Sequence, residues 1–314
     1  MILVTGGTGT VGSQLMPALA RQMPGEEIRL LRRPTADIRL PGLGLSVDDR
    51  RSLQGQTRVI IHSAAEVRFN LPLAEVRATN LEGTRRMLEF AHGCCHLDRF
   101  AHVSTLYIAG RREGWVREGP LTHNAGYFNT YTQSKHEAEA LVLAEQRLPV
   151  SIHRLSSVMG GGGHVEQVIR MIPFSSEFPM LPGQPHVPVD LVSSEWTGRA
   201  LAFLIAKHFE VGAIRHLCTG PDAAPTFGEI MDSAYGSQGR RPKLVSVPMF
   251  EWALKAAASS REWRALAGLA TFLPHLAVAQ PFDPGATGEI LGRAGLAPQH
   301  GRELLAAAMA AAFI

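Results

Sequence analysis

The sequence predicts an α/β fold in which a doubly wound parallel sheet is accompanied by a smaller C-terminal lobe. Three observations lead to this prediction. In the first half of the chain, short apolar runs alternate with longer stretches of helical periodicity, as in repeated βαβ units. A glycine-rich segment follows the first apolar run directly. The length of 314 residues and the hydrophobic content of 45% suit one large core with an appended lobe.

Six apolar runs are predicted to be strands. They comprise residues 2–4, 28–31, 59–62, 100–104, 150–155 and 213–218. Between them, the pattern predicts helices over residues 72–91 and 127–148, the first with Pro72 in its first turn and Gly93 just past its end. Asn80 shares the apolar face of that first helix, so its amide must find partners, which we expect in neighbouring backbone.

The pattern changes after residue 160. Four successive glycines, at 160–163, and a proline-rich stretch predict loops, and helical segments follow at 227–235, 250–270 and the alanine-rich C-terminal 304–314. The domain with the sheet and the lobe are therefore predicted to be discontinuous. The first comprises residues 1–160 and 187–220, and the second, which we expect to bind substrate, comprises residues 161–186 and 221–314.

Charge and cysteine content exclude several classes of protein. Lys and Arg number 31 against 28 Asp and Glu, an excess too slight for a nucleic-acid-binding protein. Three cysteines cannot form a disulfide framework, so we expect reduced thiols and a cytoplasmic location. We expect no targeting segment, and no membrane span, because the C-terminal apolar stretch is shorter than the ~20 residues that a spanning helix needs.

The glycine-rich segment lies between the first predicted strand and a helical pattern. Its residues are Thr5, Gly6, Gly7, Thr8, Gly9, Thr10, Val11 and Gly12. Glycines at this spacing let the backbone turn tightly, approach a pyrophosphate and bring the helix close to the sheet, with phosphate on the N–H groups of the helix N-terminus. The segment predicts a dinucleotide site in a Rossmann-type fold, with an ordinary glycine-rich turn as the alternative. Pro17 lies inside the following helix, where it removes a donor.

Two arginines follow the second predicted strand. Arg32 and Arg33 occupy the place where an NAD-binding domain usually offers an acidic residue to the ribose hydroxyls. Guanidinium groups there favour a 2′-phosphate and hence NADP as cofactor. A solvated basic turn is the alternative.

A tyrosine and a lysine lie one helical turn apart in the segment 127–148. Tyr131 and Lys135 share a helix face, and we expect the ammonium to lower the pKa of the phenol. Ser104 and Thr105 end the preceding strand at the edge of the sheet that faces the ligand crevice, so either hydroxyl can bond a substrate oxygen.

Together these residues resemble the short-chain dehydrogenase/reductase superfamily of the extended type. The glycine segment, the helix with Asn80 and Gly83, the Ser/Thr strand end, and the Tyr131–Lys135 pair carry the resemblance. Three further segments resemble the branch of thioester reductases and fatty acyl-CoA reductases. These are residues 62–69 (HSAAEVRF), 103–110 (VSTLYIAG) and 187–192 (VPVDLV).

The resemblance implies a catalytic group of Thr105, Tyr131 and Lys135. It also implies that Asn80 holds the helix geometry and relays protons through water, and that Lys135 binds the nicotinamide ribose. The residues expected to bind NADP are Thr5, Gly6, Gly9, Thr10, Val11, Gly12, Arg32, Arg33, Ser63, Ala64, Ala65, Tyr131 and Lys135. Members of the superfamily often dimerise through the helices that carry the asparagine and the tyrosine, and a homodimer is the corresponding expectation.

Two positions depart from the superfamily pattern. Ser46-Val47 stands where an Asp at the adenine often precedes an apolar residue, and Arg154-Leu155 stands where Arg-Pro is common. Neither departure removes a catalytic group. Both leave the adenine and nicotinamide contacts open.

Other candidates are weaker. The 13 histidines show no zinc-ligand spacing, so no metal site is predicted, and His62 is expected to pack beside the cofactor. The glycines at 160–163 form either a mobile lid or a solvent loop. The late aromatic residues either line an apolar pocket or belong to the core. They are Phe227, Phe250, Trp252, Trp263, Phe272 and Phe282.

The sequence thus predicts an NADPH-dependent oxidoreductase that reduces a carbonyl of an apolar small molecule, with Tyr131 as the proton donor. An acyl thioester, carried on CoA or a carrier protein and reduced to an aldehyde or alcohol, is one substrate class. A ketone or aldehyde reductase of the hydroxysteroid or dihydroflavonol type is the nearest alternative. A sugar-nucleotide epimerase or dehydratase and a non-catalytic NADP-sensing regulator are the others.

Overall fold

The computed structural model describes residues 1–122, 125–160, 180–235, 241–256, 275 and 277–312. The strands in these residues, in chain order, are β1 (Ile2–Thr5), β2 (Ile28–Leu31), β3 (Val59–His62), β4 (Arg99–Thr105), β5 (Val150–Leu155), β6 (Ser157–Met159), β7 (Met180–Pro182), β8 (Leu191–Ser193), β9 (Ile214–Leu217) and β10 (Lys243–Val245). The helices are α1 (Thr10–Gln22), α2 (Val47–Gln56), α3 (Leu73–His92), α4 (Thr130–Leu143), α5 (Ser194–Lys207), α6 (Phe227–Tyr235), α7 (Val247–Ala256), α8 (Gly285–Arg293) and α9 (Gly301–Ala312).

The main sheet has six strands in the described part of the chain, in the order β2-β1-β3-β4-β5-β9. Every neighbouring pair in it is parallel. Helices cover both faces, so the predicted doubly wound α/β fold is confirmed. Each of the six predicted strands is present, with ends that differ from the prediction by at most one residue.

The strands of the main sheet are buried on both faces, which is why they read as nearly continuous apolar runs. On one face Ile2, Val4 and Ile61 pack with α1 and α5. On the other, Ile60 and Phe100 pack with α3 and α4. The carboxyl ends of β1 to β5 consequently form one rigid edge, from which loops project.

Helices α3 and α4 follow the prediction with two differences. Pro72 immediately precedes α3 instead of lying in its first turn. The helix with Tyr131 is shorter than the predicted 127–148. Asn129 caps its start by accepting the N–H of Thr132 at 2.9 Å, and the helix ends at Leu143. Helix α1 continues through Pro17.

A further apolar cluster joins α6, α7 and α9 to β7 and β8. Phe227 and Phe250 are fully buried in it, and Phe282 is buried in a smaller cluster with Ile108, so these three belong to the core. Trp252 neither lines the cavity nor joins the core: its side chain projects from α7 with 71% of its surface exposed. Residues 161–163, Trp263, Phe272 and most of the predicted helix 250–270 lie outside the described residues.

Helix α8, from the late part of the chain, packs beside β9 of the main sheet, and Leu291 on α8 is buried among the residues of α1 and α5. The division of the chain into a sheet domain and a lobe stays a prediction. In the part of the chain that the structure describes, no helix combines the length and the apolar character needed to cross a membrane.

Candidate active site

A cavity of about 710 Å³ lies at the carboxyl edge of strands β1 to β5. Most of the predicted site residues line it. These are Gly6, Gly9, Thr10, Val11, Gly12, Arg32, Arg33, Ser63, Ala64, Ala65, Thr105, Tyr131 and Lys135. Thr5 and Asn80 do not line the cavity and lie behind its wall.

The glycine segment forms a close turn between β1 and α1. Gly6 has a φ of +73°, and a Cβ there would lie 2.6 Å from the backbone nitrogen of Ala64. A Cβ on Gly12 would lie 2.1 Å from the carbonyl oxygen of Gly6. Helix α1 begins at Thr10 without a side-chain cap, and the residues of its first turn line the cavity, as an anion site at a helix start requires.

Thr5 and His62 support this turn from below. The Thr5 hydroxyl accepts the N–H of Ala64 at 3.1 Å and bonds His62 Nδ1 at 2.8 Å. His62 Nε2 bonds the hydroxyl of Thr84 at 3.0 Å. Burial and the charge of Lys135 lower the pKa of His62 to about 3, so the ring is neutral. His62 therefore holds β1, β3 and α3 together beneath the cavity instead of packing beside a ligand in it.

Arg32 and Arg33 lie at one end of the cavity with exposed side chains. Neither takes part in a salt bridge with another described residue. Two guanidinium groups are therefore available to an anionic ligand at this end.

The same end contains an acidic residue followed by an apolar one, which the sequence analysis missed. Asp37 and Ile38 line the cavity, and Arg39 holds the Asp37 carboxylate through Nε at 3.0 Å and Nη2 at 2.6 Å, which lowers the pKa of Asp37. Ser46, expected at this place, instead caps α2 by accepting the N–H of Asp49 at 3.1 Å. The pair Asp37-Ile38 is visible in the sequence, but it lies in the turn after β2 and not at residues 46–47, where the superfamily pattern was expected.

Thr105 and Tyr131 both line the opposite end of the cavity. The Thr105 hydroxyl donates to the carbonyl of Leu155 at 3.3 Å and accepts the N–H of Tyr107 at 3.3 Å. Burial raises the pKa of Tyr131 to about 12, although the nearby hydroxyl of Thr105 opposes the rise. The expected lowering of this pKa by Lys135 is wrong, because loss of water around the buried phenol decides the direction.

Lys135 is buried one turn beyond Tyr131. Its Nζ donates to the carbonyl of Val103 at 2.7 Å and lies 3.5 Å from His102 Nε2. Burial lowers the pKa of Lys135 to about 8, and the carboxylate of Glu139 partly opposes this. Lys135 therefore changes charge near neutral pH.

Ser104, beside Thr105, is 3% exposed and lines the cavity. Its hydroxyl has no hydrogen-bond partner among the described residues. Both strand-end residues thus line the cavity, but the hydroxyl oxygen of Ser104 is itself buried.

Asn80 finds its partners in backbone, as expected. Its Oδ1 accepts the N–H of Glu66 at 2.7 Å, and its Nδ2 donates to the carbonyl of Glu66 at 3.0 Å. Nδ2 also donates to the Ser134 hydroxyl at 2.9 Å. Asn80 thereby ties the loop after β3 to the helix of Tyr131 and Lys135.

Four further residues line the Tyr131 end of the cavity: Phe69, Tyr107, Ser157 and His275. The hydroxyls of Tyr107 and Ser157 bond each other. Segments 62–69 and 103–110 contain Phe69 and Tyr107, yet no local pattern indicates that both rings lie against His275. His275 follows a long stretch without motifs, so no sequence signal places it here.

No group of three or more His, Cys, Asp or Glu side chains in the described ranges is arranged to hold a metal ion. The polar groups of the residues that line the cavity are hydroxyls, one amine, guanidinium groups, the carboxylates of Asp37 and Glu66 and the imidazole of His275.

Comparison with known proteins supports the resemblance. The chain is 32% identical to the fatty acyl-CoA reductase wat of Drosophila melanogaster over 146 residues, which cover 38% of this chain and 28% of that protein. It is 26% identical to the polyketide synthase–nonribosomal peptide synthetase ACE1 of Pyricularia oryzae over 292 residues, covering 82% of this chain and 7% of that one. The chain thus spans well under half the length of these relatives.

Solved structures share the fold. The terminal R domain of the myxalamid PKS-NRPS pathway superposes with a TM-score of 0.79 at 24% identity, covering 99% of this chain and 89% of that one. A thiolation-reductase di-domain from an archaeal non-ribosomal peptide synthetase gives 0.69 at 17% identity, covering 97% and 73%. MoeE5 in complex with UDP-glucose and NAD gives 0.67 at 20% identity, covering 98% and 97%.

The family comparison covers just over half of the chain. Residues 34–193, which include Tyr131, Lys135 and the strand end at Thr105, match the NAD-binding family described as Male sterility protein. The extended short-chain dehydrogenase/reductase fold and the likeness to acyl-CoA and thioester reductases are in agreement with this match. The chain belongs to the Male sterility protein family.

Proposed function

We propose that this protein is an NADPH-dependent reductase that acts on the carbonyl of an apolar substrate, with an acyl thioester as the first candidate. One observation carries the proposal: Thr105, Tyr131 and Lys135 line the same cavity as the glycine turn and the Arg32–Arg33 pair. Relatives named as fatty acyl-CoA reductase and peptide synthetase support a thioester carried on CoA or a carrier protein.

The residues present suit a nicotinamide dinucleotide. The cavity volume of about 710 Å³ falls within the range of ligand pockets. Gly6 and Gly12 let the backbone close into a turn where a Cβ would collide with it, and this turn brings the start of α1 to the cavity, where a pyrophosphate can approach. Arg32 and Arg33 favour NADPH over NADH, because guanidinium groups bind phosphate strongly.

The bound nicotinamide would supply hydride to the carbonyl carbon. The hydroxyls of Thr105 and Tyr131 hold the carbonyl oxygen and stabilise the negative charge that develops on it. Because its pKa is about 12, Tyr131 carries its proton at neutral pH and donates it to the oxygen, which is a far stronger base than phenolate. Lys135, in its charged form, then stabilises the phenolate from one helical turn away.

The outcome depends on the substrate. With a thioester, these steps give a hemithioacetal, which expels the thiol to leave an aldehyde, and a second reduction of the aldehyde gives an alcohol. With a ketone or free aldehyde, the same residues give an alcohol directly. The catalytic groups alone do not distinguish the two classes.

The test is NADPH oxidation by the purified chain with acyl-CoAs, aldehydes, ketones and UDP-sugars, with products identified by mass. We expect acyl-CoAs and aldehydes of medium or long chain to be reduced. Activity on aldehydes or ketones alone would reject the thioester and leave a simple carbonyl reductase. Turnover of a UDP-sugar without the others would reject the reductase, and NADPH binding without any turnover would indicate a sensor.

A further inference from the structure

At the Tyr131 end, the cavity wall consists of aromatic rings. The His275 ring lies 5.0 Å from the Tyr107 ring and 6.4 Å from the Phe69 ring, measured between centroids. Phe69 lies in turn 5.3 Å from the ring of Tyr131. Phe69, Tyr107 and His275, which we name the aromatic wall, therefore form one contiguous surface that reaches the proposed proton donor.

His275 is held firmly in this wall. Phe128 meets it edge to face, with centroids 4.4 Å apart, and Asn129 Nδ2 donates to its Nε2 at 3.3 Å. The side chain is 7% exposed, and burial lowers the pKa of His275 to about 3, so the imidazole is neutral at the cavity. A ring fixed on two sides in this way cannot retreat cheaply from a larger ligand.

Tyr107 is fixed as well. Its hydroxyl bonds Ser157, and its ring meets Phe282 edge to face with centroids 5.6 Å apart. With its polar atom engaged, Tyr107 presents mainly the ring to the cavity. The aromatic wall is thus uncharged and held in place by its neighbours.

We propose that His275 is a specificity-determining residue, and that the aromatic wall packs against the carbon next to the reactive carbonyl and favours an unbranched acyl group there. Because Phe69 touches Tyr131, a carbonyl bonded to the Tyr131 hydroxyl places its neighbouring carbon beside this wall. A branch on that carbon would press on rings that cannot move apart. This inference rests on the proposed reductase function and adds the shape of the group that it accepts.

The test compares hexanal with its α-methyl derivative, and hexanoyl-CoA with its α-methyl derivative, in wild-type protein and in His275→Ala. We expect wild type to favour the unbranched substrate about tenfold or more in kcat/KM, since one methyl group in a shaped pocket has effects of this size. In His275→Ala the preference should fall to about one. His275→Phe should keep the preference and lower kcat for both substrates, because it keeps a ring but loses the bond from Asn129.

Trp252→Ala is the matched control, since this exposed side chain from the same late part of the chain does not line the cavity. It should leave the preference unchanged. An equal loss for both substrates in His275→Ala would overturn the proposal and leave His275 only a role in positioning α4. If that variant does not fold, His275→Val provides the same comparison.

A readout without turnover separates the two proposals. Hexanamide and its α-methyl derivative, which are not reduced, are titrated into the protein by calorimetry. One outcome is that no carbonyl compound is turned over while the wild type, but not His275→Ala, binds the unbranched amide about tenfold more tightly than the α-methyl amide. This result would reject the reductase function and support the proposed specificity of the aromatic wall. Equal affinity of the wild type for both amides would overturn the proposal that the aromatic wall favours an unbranched acyl group.

Discussion

Asn80 holds Glu66 by both of its backbone groups and at the same time bonds the hydroxyl of Ser134. Ser134 in turn donates to the carbonyl of Tyr131 at 2.8 Å. The loop that lines the cavity after β3 and the helix with the catalytic candidates are therefore fixed to each other by one amide. Both of its hydrogens and its oxygen serve this structural role, while the expected proton relay through Asn80 stays a prediction.

We predict that Asn80→Ala destabilises the protein by about 1–3 kcal/mol, because the backbone groups of Glu66 lose their buried partner. Urea unfolding measures this change. Asn80→Asp should also destabilise, since a carboxylate cannot donate to the Glu66 carbonyl or to Ser134. Glu82→Ala, on the surface of the same helix, is the control, and an Asn80→Ala protein as stable as that control would contradict the role described.

Tyr131→Phe removes the proposed proton donor and little else. Turnover should fall by on the order of a hundredfold or more, with NADPH affinity nearly unchanged. Lys135→Ala should lower both turnover and NADPH affinity. Steady-state kinetics and fluorescence titration of NADPH distinguish the two variants, and near wild-type turnover in Tyr131→Phe would show that the proposed mechanism is wrong.

The sequence predicts the main sheet and most of the cavity because their signals are local. Strands buried on both faces appear as apolar runs, and the glycine turn must contain glycine at Gly6 and Gly12 for steric reasons. Tyr131 and Lys135 share a helix face at a spacing that the sequence displays directly. Each of these features is determined within a few residues of chain.

Features that depend on contacts between distant segments cannot be predicted from such local signals. His275 reaches Phe69 and Tyr107 only after the late part of the chain folds back over the sheet edge. The pKa of Tyr131 is raised, whereas the sequence predicts that it is lowered. Burial by residues far along the chain decides this shift, and not the lysine four residues away. The end of α4 at Leu143, five residues before the predicted one, is not indicated by periodicity alone.

The choice of cofactor is tested at Arg32 and Arg33. If either guanidinium binds the 2′-phosphate, the double change Arg32→Ala with Arg33→Ala should weaken NADPH by about 1.5–3 kcal/mol and leave NADH almost unaffected. Titration of both cofactors into wild type and variant measures this difference. Arg58→Ala, at the opposite edge of the sheet, is the control for a general loss of positive charge, and equal losses for NADPH and NADH would reject the assignment.

The last prediction concerns Lys135 and pH. Its pKa is about 8 in the folded protein against an ordinary value of 10.5, so between these pH values the unfolded chain holds a proton that the folded protein has released. Stability must therefore rise with pH in this window, and below it the buried charge destabilises the folded state.

Lys135→Met abolishes this titration. Relative to Lys135→Met, the wild type should gain on the order of 3 kcal/mol of unfolding free energy as pH rises from about 8 to about 10.5. Urea unfolding of both proteins across this range gives the difference, in which the titration of other groups cancels. The exposed Lys207→Met should show no such trend. A difference between wild type and Lys135→Met that stays constant with pH would mean that Lys135 keeps its ordinary pKa, and with it a full charge beside Tyr131 at neutral pH.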